Sequence, residues 1–202
     1  MKKLTLAVLL ATVSSVASAT PATTFDNVAL SYVSWTFDNI HFSLKGKAFD
    51  GTALITDHLY ANAQIISVSE SDTSSGPIQD IDVKEQKLSL GYRFELGAQT
   101  DAYAQFGLVR QSVDSEALYD DIIENSSESD NGTSILVGVK HNFGQFEGGV
   151  FAERLNGGGD DETSNIYGVD GRYKFTNDFH AVAQYGIESD FNYYKVGVSY
   201  AF

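Results

Sequence analysis

Apolar and polar residues alternate along most of the chain. From Thr24 onward the dominant period is two, and because successive side chains of a strand point to opposite faces, this period predicts β-strands. The pattern is clearest over residues 87–96, 179–188 and 193–202. In each segment one face is apolar and the other is polar or small. The chain is therefore predicted to be all-β.

The connections between the predicted strands fall into two kinds. Residues 56–58, 97–101, 144–145 and 176–178 form tight turns, and the last connection, near Asp190, is also short. Longer polar stretches at 36–47, 70–80, 113–132 and 156–164 are predicted as loops. Ten strands are predicted between them, at 24–35, 48–55, 59–69, 82–96, 102–112, 133–143, 145–155, 165–175, 179–189 and 192–202. Eight strands are the alternative, if 48–55 or 165–175 is miscounted.

Short turns at one end and mostly long loops at the other are typical of a transmembrane antiparallel up-and-down β-barrel. No apolar run reaches the roughly 18 residues that a membrane helix needs, whereas strands of about 10 residues cross a bilayer. Outward aromatic residues support the barrel, because they gather near the two strand ends as interfacial girdles do. We predict a periplasmic girdle of Phe94, Phe143, Phe146, Phe175, Phe179 and Phe202, and an outer girdle of Tyr32, Tyr167, Tyr185 and Tyr194.

The first residues have the features of a secretory signal peptide. Lys2 and Lys3 precede a mostly apolar stretch at 4–16, and Ala17-Ser18-Ala19 supplies a small-x-small cleavage site. We expect a signal peptide at 1–19 and a barrel domain at 20–202, the alternative being a buried first helix. Export through the inner membrane would follow.

Composition excludes several classes of protein. The absence of Cys excludes a disulfide framework and thiolate metal sites. The formal net charge is −14, from 13 Lys and Arg against 27 Asp and Glu, and this sign is unsuited to nucleic acid. No nucleic-acid partner is therefore expected.

The C-terminal residues resemble the assembly signal of outer-membrane β-barrels. Lys195, Gly197, Tyr200 and the terminal Phe202 match its polar, glycine, apolar and aromatic positions. The resemblance implies recognition by the barrel-assembly machinery through the last strand.

More widely, the chain is similar to small Gram-negative OmpA/OmpX-like barrels. The pattern is closest to the ten-stranded diffusible-signal-regulated outer-membrane proteins of xanthomonads, over residues 26–32, 56–60, 88–92 and 175–179. The resemblance implies an outer-membrane location, contact with membrane lipid and a monomer, but it carries no established chemistry.

The polar face of the strands predicts a charged barrel interior. Because about 16 or more strands are needed for an open aqueous channel, a ten-stranded lumen is expected to be plugged by ion pairs and water. A narrow porin-like channel for ions or small solutes is the alternative. The lumen set is Tyr60, Asn62, Gln64, Lys87, Arg93, Glu95, Tyr103, Gln105, Lys140, Glu147, Glu153, Asp170, Arg172, Lys174, His180, Glu188 and Lys195.

The predicted third loop is acidic and contains neither Lys nor Arg. Weak candidate ligands for a divalent cation are Asp120, Asp121, Glu124, Glu128 and Asp130, because carboxylates are the donors that Ca²⁺ and Mg²⁺ prefer. Their spacing does not match an EF-hand. The alternative, a solvated and self-repelling loop, is favoured, and neither a metal nor a cofactor is predicted.

Arg110 and Arg154 continue the lipid-facing positions of two strands to the outer rim. A guanidinium at that level suits lipopolysaccharide phosphates, since Arg offers two parallel donors. An arginine that extends to water is the equal alternative.

Enzymatic function has weak support. His41-Phe42-Ser43 resembles the His-x-Ser pair of lipid A deacylases, but it falls at the first loop instead of the C-terminal half. An omptin-like protease would require longer loops with an Asp–His dyad. No catalytic residue is predicted, and a lipid A-modifying enzyme ranks third. The sequence favours a structural or surface-interaction protein, serving adhesion or envelope integrity, with an extracellular surface partner for its acidic loops.

Overall fold

The computed structural model describes residues 23–37, 42–72, 79–119, 122–157, 163–189 and 191–202. The predicted signal peptide lies outside these residues. The described chain forms ten strands, so the predicted number is confirmed and the eight-strand alternative is wrong. They are β1 (Asn27–Phe37), β2 (Phe42–Leu54), β3 (Leu59–Asp72), β4 (Gln79–Gly97), β5 (Thr100–Tyr119), β6 (Ile122–Asn142), β7 (Phe146–Asn156), β8 (Thr163–Lys174), β9 (Phe179–Ile187) and β10 (Phe191–Ala201).

The strands form a closed antiparallel up-and-down barrel. Each strand pairs with its neighbours in sequence, and β1 pairs with β10 from Asn27 opposite Ala201 to Phe37 opposite Phe191. Because of this pairing, every strand of the barrel has a hydrogen-bonded neighbour on both sides. No helix long and apolar enough to cross a membrane occurs in the part of the chain that the structure describes.

The two ends of the barrel differ in their connections. At one end, which we call the turn end, residues 55–58, 98–99, 143–145 and 175–178 join the strands. The turn between β6 and β7 needs a glycine, because Gly144 has a φ of 93°. Both ends of the described chain also lie at the turn end. The opposite end, the loop end, carries the remaining connections.

The outer face is apolar around the middle of the barrel. Leu30, Leu88 and Val198 are each about 60 % exposed, although they are the kind of side chain that a soluble protein buries. The aromatic residues of both predicted girdles are also exposed outward, at the ends where they were expected. An apolar band between two aromatic belts is the surface that a transmembrane barrel presents to lipid.

The strands near the loop end are longer than predicted. The stretch 113–132 was expected to be a loop, but cross-strand pairing continues from Val113 opposite Glu128 up to Tyr119 opposite Ile122. The stretches 36–47, 70–80 and 156–164 likewise contribute residues to strands. The stretch 113–132 was wrongly predicted as a loop because it is mostly polar, and its residues 125–131 are exposed on both faces, so no alternation in polarity marks the strand.

Four glycines allow large rings to pack inside the barrel. Each glycine lies directly opposite an aromatic residue on the neighbouring strand, and the ring lies over the space that a Cβ would fill. The pairs are Gly91 with Tyr60, Gly138 with Tyr103, Gly168 with Phe151, and Gly186 with Tyr193. The narrow interior thus accommodates these rings because the residue opposite each ring is a glycine and has no side chain.

We expect Gly186→Ala to destabilise the barrel, because the new methyl group would overlap the Tyr193 ring. Overpacking of this kind costs about 1–3 kcal/mol. The midpoint of the heat-induced shift in gel migration measures it in refolded protein. Gly97→Ala is the matched control, since nothing lies within 4 Å of the Cβ it would add. Equal midpoints for the two variants would contradict the packing argument.

Candidate functional site

The N-terminal residues of the described chain fill the barrel interior at the turn end. Phe25 is fully buried, with its ring centroid 4.9 Å from that of Tyr60 and the Arg93 guanidinium 5.5 Å from it. The backbone N–H and the hydroxyl of Thr24 both donate to Glu147 Oε2 at 3.0 Å. Thr23 donates to the Asp101 carboxylate. This segment, residues 23–25, blocks the interior before β1 begins.

Buried ion pairs fill the middle of the barrel. Lys195 Nζ lies 2.9 Å from Asp50 Oδ1, and both side chains are almost inaccessible to solvent. A second pair joins Lys87 to Glu153, and a third joins Lys140 to Asp170 at 3.2 Å. The strands of each pair are not neighbours in the sheet: one strand separates them in the Lys195 and Lys140 pairs and two strands separate them in the Lys87 pair, so the side chains extend through the interior. The interior is held together by charges that compensate one another.

An apolar layer closes the interior toward the loop end. Trp35 packs edge-on against Phe191, with ring centroids 5.8 Å apart. The layer, which we call the apolar cap, comprises Val33, Trp35, Leu44, Ile66, Val68, Val83, Leu155, Ile166 and Phe191, all buried. Because these side chains offer nothing to hydrate an ion, the cap opposes ion passage more effectively than the charged layer below it.

The predicted lumen residues that lie within strands face the barrel interior, whereas Glu188 follows the end of β9 and is half-buried. Glu95 shares the inward face with Arg93 and lies opposite Asp101, but its side chain is 56 % exposed at the turn end, where it pairs with Arg93 at 2.6 Å. The sequence analysis missed Asp50, Glu85 and Asp101, which are buried. Strand parity identifies all three as inward, but Asp50 and Asp101 lie at or near predicted strand ends. The apolar cap was also missed, because most of its residues lie at the loop-end ends of predicted strands, where the inward positions were expected to be polar.

A group of carboxylates lies on the outer face of β4 and β5 near the loop end. Asp82 lies directly opposite Asp114, and Asp80 lies directly opposite Glu116. Like charges in facing positions of a sheet repel. No Lys or Arg occurs in residues 111–132, so the charged residues of this part of the chain are all acidic. We call Asp80, Asp82, Asp114 and Glu116 the acidic patch.

The weak metal-ligand candidates are only partly described. Asp120, Asp121 and the side chain of Glu124 lie outside the described residues. Glu128 and Asp130 are exposed on β6, opposite Val113 and Gln111. No group of three carboxylate or imidazole side chains suited to a metal ion occurs within the described ranges. His41, of the predicted His-x-Ser pair, also lies outside them.

The two arginines predicted at the rim do face outward and are exposed. Arg110 lies opposite Gln86 on β4, and Arg154 lies between Ile135 and Asn165 of the neighbouring strands. Arg154 Nε donates to Asn156 Oδ1 at 3.5 Å. Lipid contact remains a prediction for both.

The C-terminal motif lies in the strand that closes the barrel. Lys195 forms the ion pair with Asp50, whereas Tyr200 and Phe202 are exposed outward in the turn-end girdle. A Cβ at Gly197 would overlap the Leu30 carbonyl oxygen and the Ser31 side chain of β1. The motif therefore has structural roles in the finished barrel, and its recognition by assembly machinery stays a prediction.

We expect Lys195→Met to destabilise the barrel by about 3–5 kcal/mol, because it leaves the Asp50 carboxylate buried without its cation. Gln64, which also donates to Asp50, reduces the loss. The double variant Asp50→Leu/Lys195→Met is expected to recover much of the stability, since neither charge is then buried. Urea unfolding in lipid vesicles measures both variants. A double variant no more stable than Lys195→Met would contradict the role of the ion pair.

Solved structures with a related architecture are outer-membrane barrels of Gram-negative bacteria. The attachment invasion locus protein Ail of Yersinia pestis is 11 % identical, with a TM-score of 0.44, over 87 % of this chain and 95 % of its own. The KdgM porin is 13 % identical, with a TM-score of 0.47, over 86 % and 99 %. The NanC porin is 11 % identical, with a TM-score of 0.48, over 86 % and 100 %. No protein-family model and no curated protein sequence matches the chain. At these identities the likeness concerns the fold alone.

Proposed function

We propose that the protein is a closed barrel of the Gram-negative outer membrane with a structural and surface-interaction role, and that it is neither a channel nor an enzyme. The observation that carries the proposal is the filled interior. Residues 23–25, the buried ion pairs and the apolar cap occupy it at three successive levels. A solute would have to displace all three, which leaves the outer surface as the part available for function.

The outer face supports a membrane location. The apolar band and the aromatic girdles fit lipid, and a strand barrel satisfies its backbone groups without water. In this proposal the turn end faces the periplasm and the loop end faces outward. The protein then acts as a monomer surrounded by lipid, inserted by the barrel-assembly machinery through β10.

The loop end supports an interaction role. Pairing of β5 with β6 extends far beyond the apolar band, and the exposed residues 125–131 are polar or acidic. Because the facing carboxylates of the acidic patch repel one another, their repulsion is relieved when a cationic group approaches. The extracellular partner is therefore expected to present Lys or Arg. Adhesion and envelope integrity are the two roles that such a surface serves.

A deletion strain complemented with variants tests this role. The variant Asp80→Asn/Asp82→Asn/Asp114→Asn/Glu116→Gln removes four charges while preserving side-chain size, so the barrel should assemble normally. We expect it to lower adhesion to positively charged surfaces severalfold and to leave small-solute uptake unchanged. The matched control is Asp57→Asn/Asp178→Asn, which neutralises exposed acids at the turn end.

The opposite pattern would overturn the proposal. Normal adhesion in the patch variant, combined with slower solute uptake in the deletion strain, would indicate a narrow porin-like channel. Hydrolysis of lipid A by the purified protein would instead indicate a lipid A-modifying enzyme, the third function considered from the sequence.

A further inference from the structure

Outward-facing cations gather on one side of the barrel. On β2 they are Lys45 and Lys47, on β4 Lys84 and on β5 Arg110, and all four are exposed. Lys47 and Lys84 lie on either side of Ser67, the residue of β3 that faces both. Since neighbouring strands are about 4.8 Å apart, the backbones of these two lysines are about 10 Å apart. Lys84 and Arg110 are diagonal neighbours, because Arg110 lies opposite Gln86.

The residues on either side of these cations show where along the strands they lie. Along the outer face of β4 and β5, the facing pairs in order are Leu88 with Leu108, Gln86 with Arg110, Lys84 with Ser112, and Asp82 with Asp114. The surface thus changes from apolar to cationic to acidic within four pairs. On β2, Lys47 lies directly opposite Tyr32 of the loop-end girdle. The cations therefore lie where the apolar band ends.

These cations have no counter-ion in the described structure. None of the five ion pairs found among the described residues includes Lys45, Lys47, Lys84 or Arg110. Among the described outward-facing residues of β4 and β5, carboxylates begin two positions beyond Lys84, at Asp82, in a chain that has twice as many acidic as basic residues. A cluster of cations at that level, in so acidic a chain, points to an anion supplied by the surroundings.

The geometry points to a phosphate-binding strip, formed by Lys45, Lys47, Lys84 and Arg110, for the phosphorylated glycolipid of the outer leaflet. Its acyl chains would cover the apolar band below, while its phosphates would meet the cations at the interface. There the long side chains extend toward the headgroups at little cost. The acidic patch above repels phosphate, which confines the headgroup to the level of the strip.

The strip distinguishes between the two rim arginines. Arg110 belongs to a group of four cations, whereas Arg154 lies on β7 between Ile135 and Asn165 and has no cationic neighbour there. A phosphate that contacts several cations gains from each of them, at about fivefold per charge near an anionic membrane surface. We therefore expect Arg110 to contribute to glycolipid binding, and Arg154 to contribute little.

The test uses the full-length protein, refolded in uncharged detergent and checked for folding by heat-modifiable gel migration. Diphosphorylated lipid A is titrated and the bound lipid is counted by native mass spectrometry. We expect Lys84→Ser/Arg110→Ser to weaken binding by about tenfold or more. Lys84→Arg/Arg110→Lys, which keeps both charges, should bind like the wild type, and Arg154→Ser should change affinity less than about threefold.

Two further lipids identify the ligand. Dephosphorylated lipid A should bind the wild type and Lys84→Ser/Arg110→Ser equally weakly, and phosphatidylglycerol should not displace diphosphorylated lipid A at equal concentration. Three results would each overturn the proposed phosphate-binding strip. They are unchanged affinity of Lys84→Ser/Arg110→Ser for diphosphorylated lipid A, wild-type binding of dephosphorylated lipid A as tight as that of the diphosphorylated form, and displacement of diphosphorylated lipid A by phosphatidylglycerol. The inference relies on the proposed membrane location but not on the closed interior. A protein that conducts ions could still bind the lipid, so failure of the closed-barrel proposal and failure of the lipid-binding proposal give different results.

Discussion

The structure depends on one constraint: a sheet that crosses lipid must leave no backbone N–H or C=O unpaired. The pairing of β1 with β10 meets this constraint by joining the first strand to the last. The seam also explains the residues of the closing strand. Gly197 lets β10 approach β1 closely, and Lys195 reaches past β1 to Asp50 on β2.

Closure then determines what the interior must contain. The apolar side chains face outward, so the inward positions of the same strands hold polar and charged groups that have to be satisfied internally. The three ion pairs in the middle of the barrel do this for Lys87, Lys140 and Lys195, each of which has a buried carboxylate as its partner. Nearer the loop end the requirement relaxes, because the wall there extends beyond the apolar band. The apolar cap packs in that region as the core of a soluble β-protein would.

The fold and most of the lumen could be predicted from the sequence, because alternation in strands such as β4 and β9 reports directly which residues face lipid. The limits of that signal explain the errors. In β6 residues 125–131 are polar and exposed on both faces, so no alternation marks the strand there, and 113–132 was taken for a loop. Of the phosphate-binding strip, only Arg110 was predicted to contact lipid, because Lys45 and Lys47 lie in 36–47, which was also predicted as a loop. The position of residues 23–25 inside the barrel depends on tertiary contacts that no local pattern encodes.

Planar-bilayer recording on the refolded wild-type protein shows whether the barrel interior is closed. Because residues 23–25, the ion pairs and the apolar cap fill the interior, we expect no current above the baseline in symmetrical salt across the accessible voltage range. Folding and insertion are verified on the same sample by heat-modifiable migration. Stable unitary currents that scale with salt concentration would contradict the closed interior and would make the protein a channel.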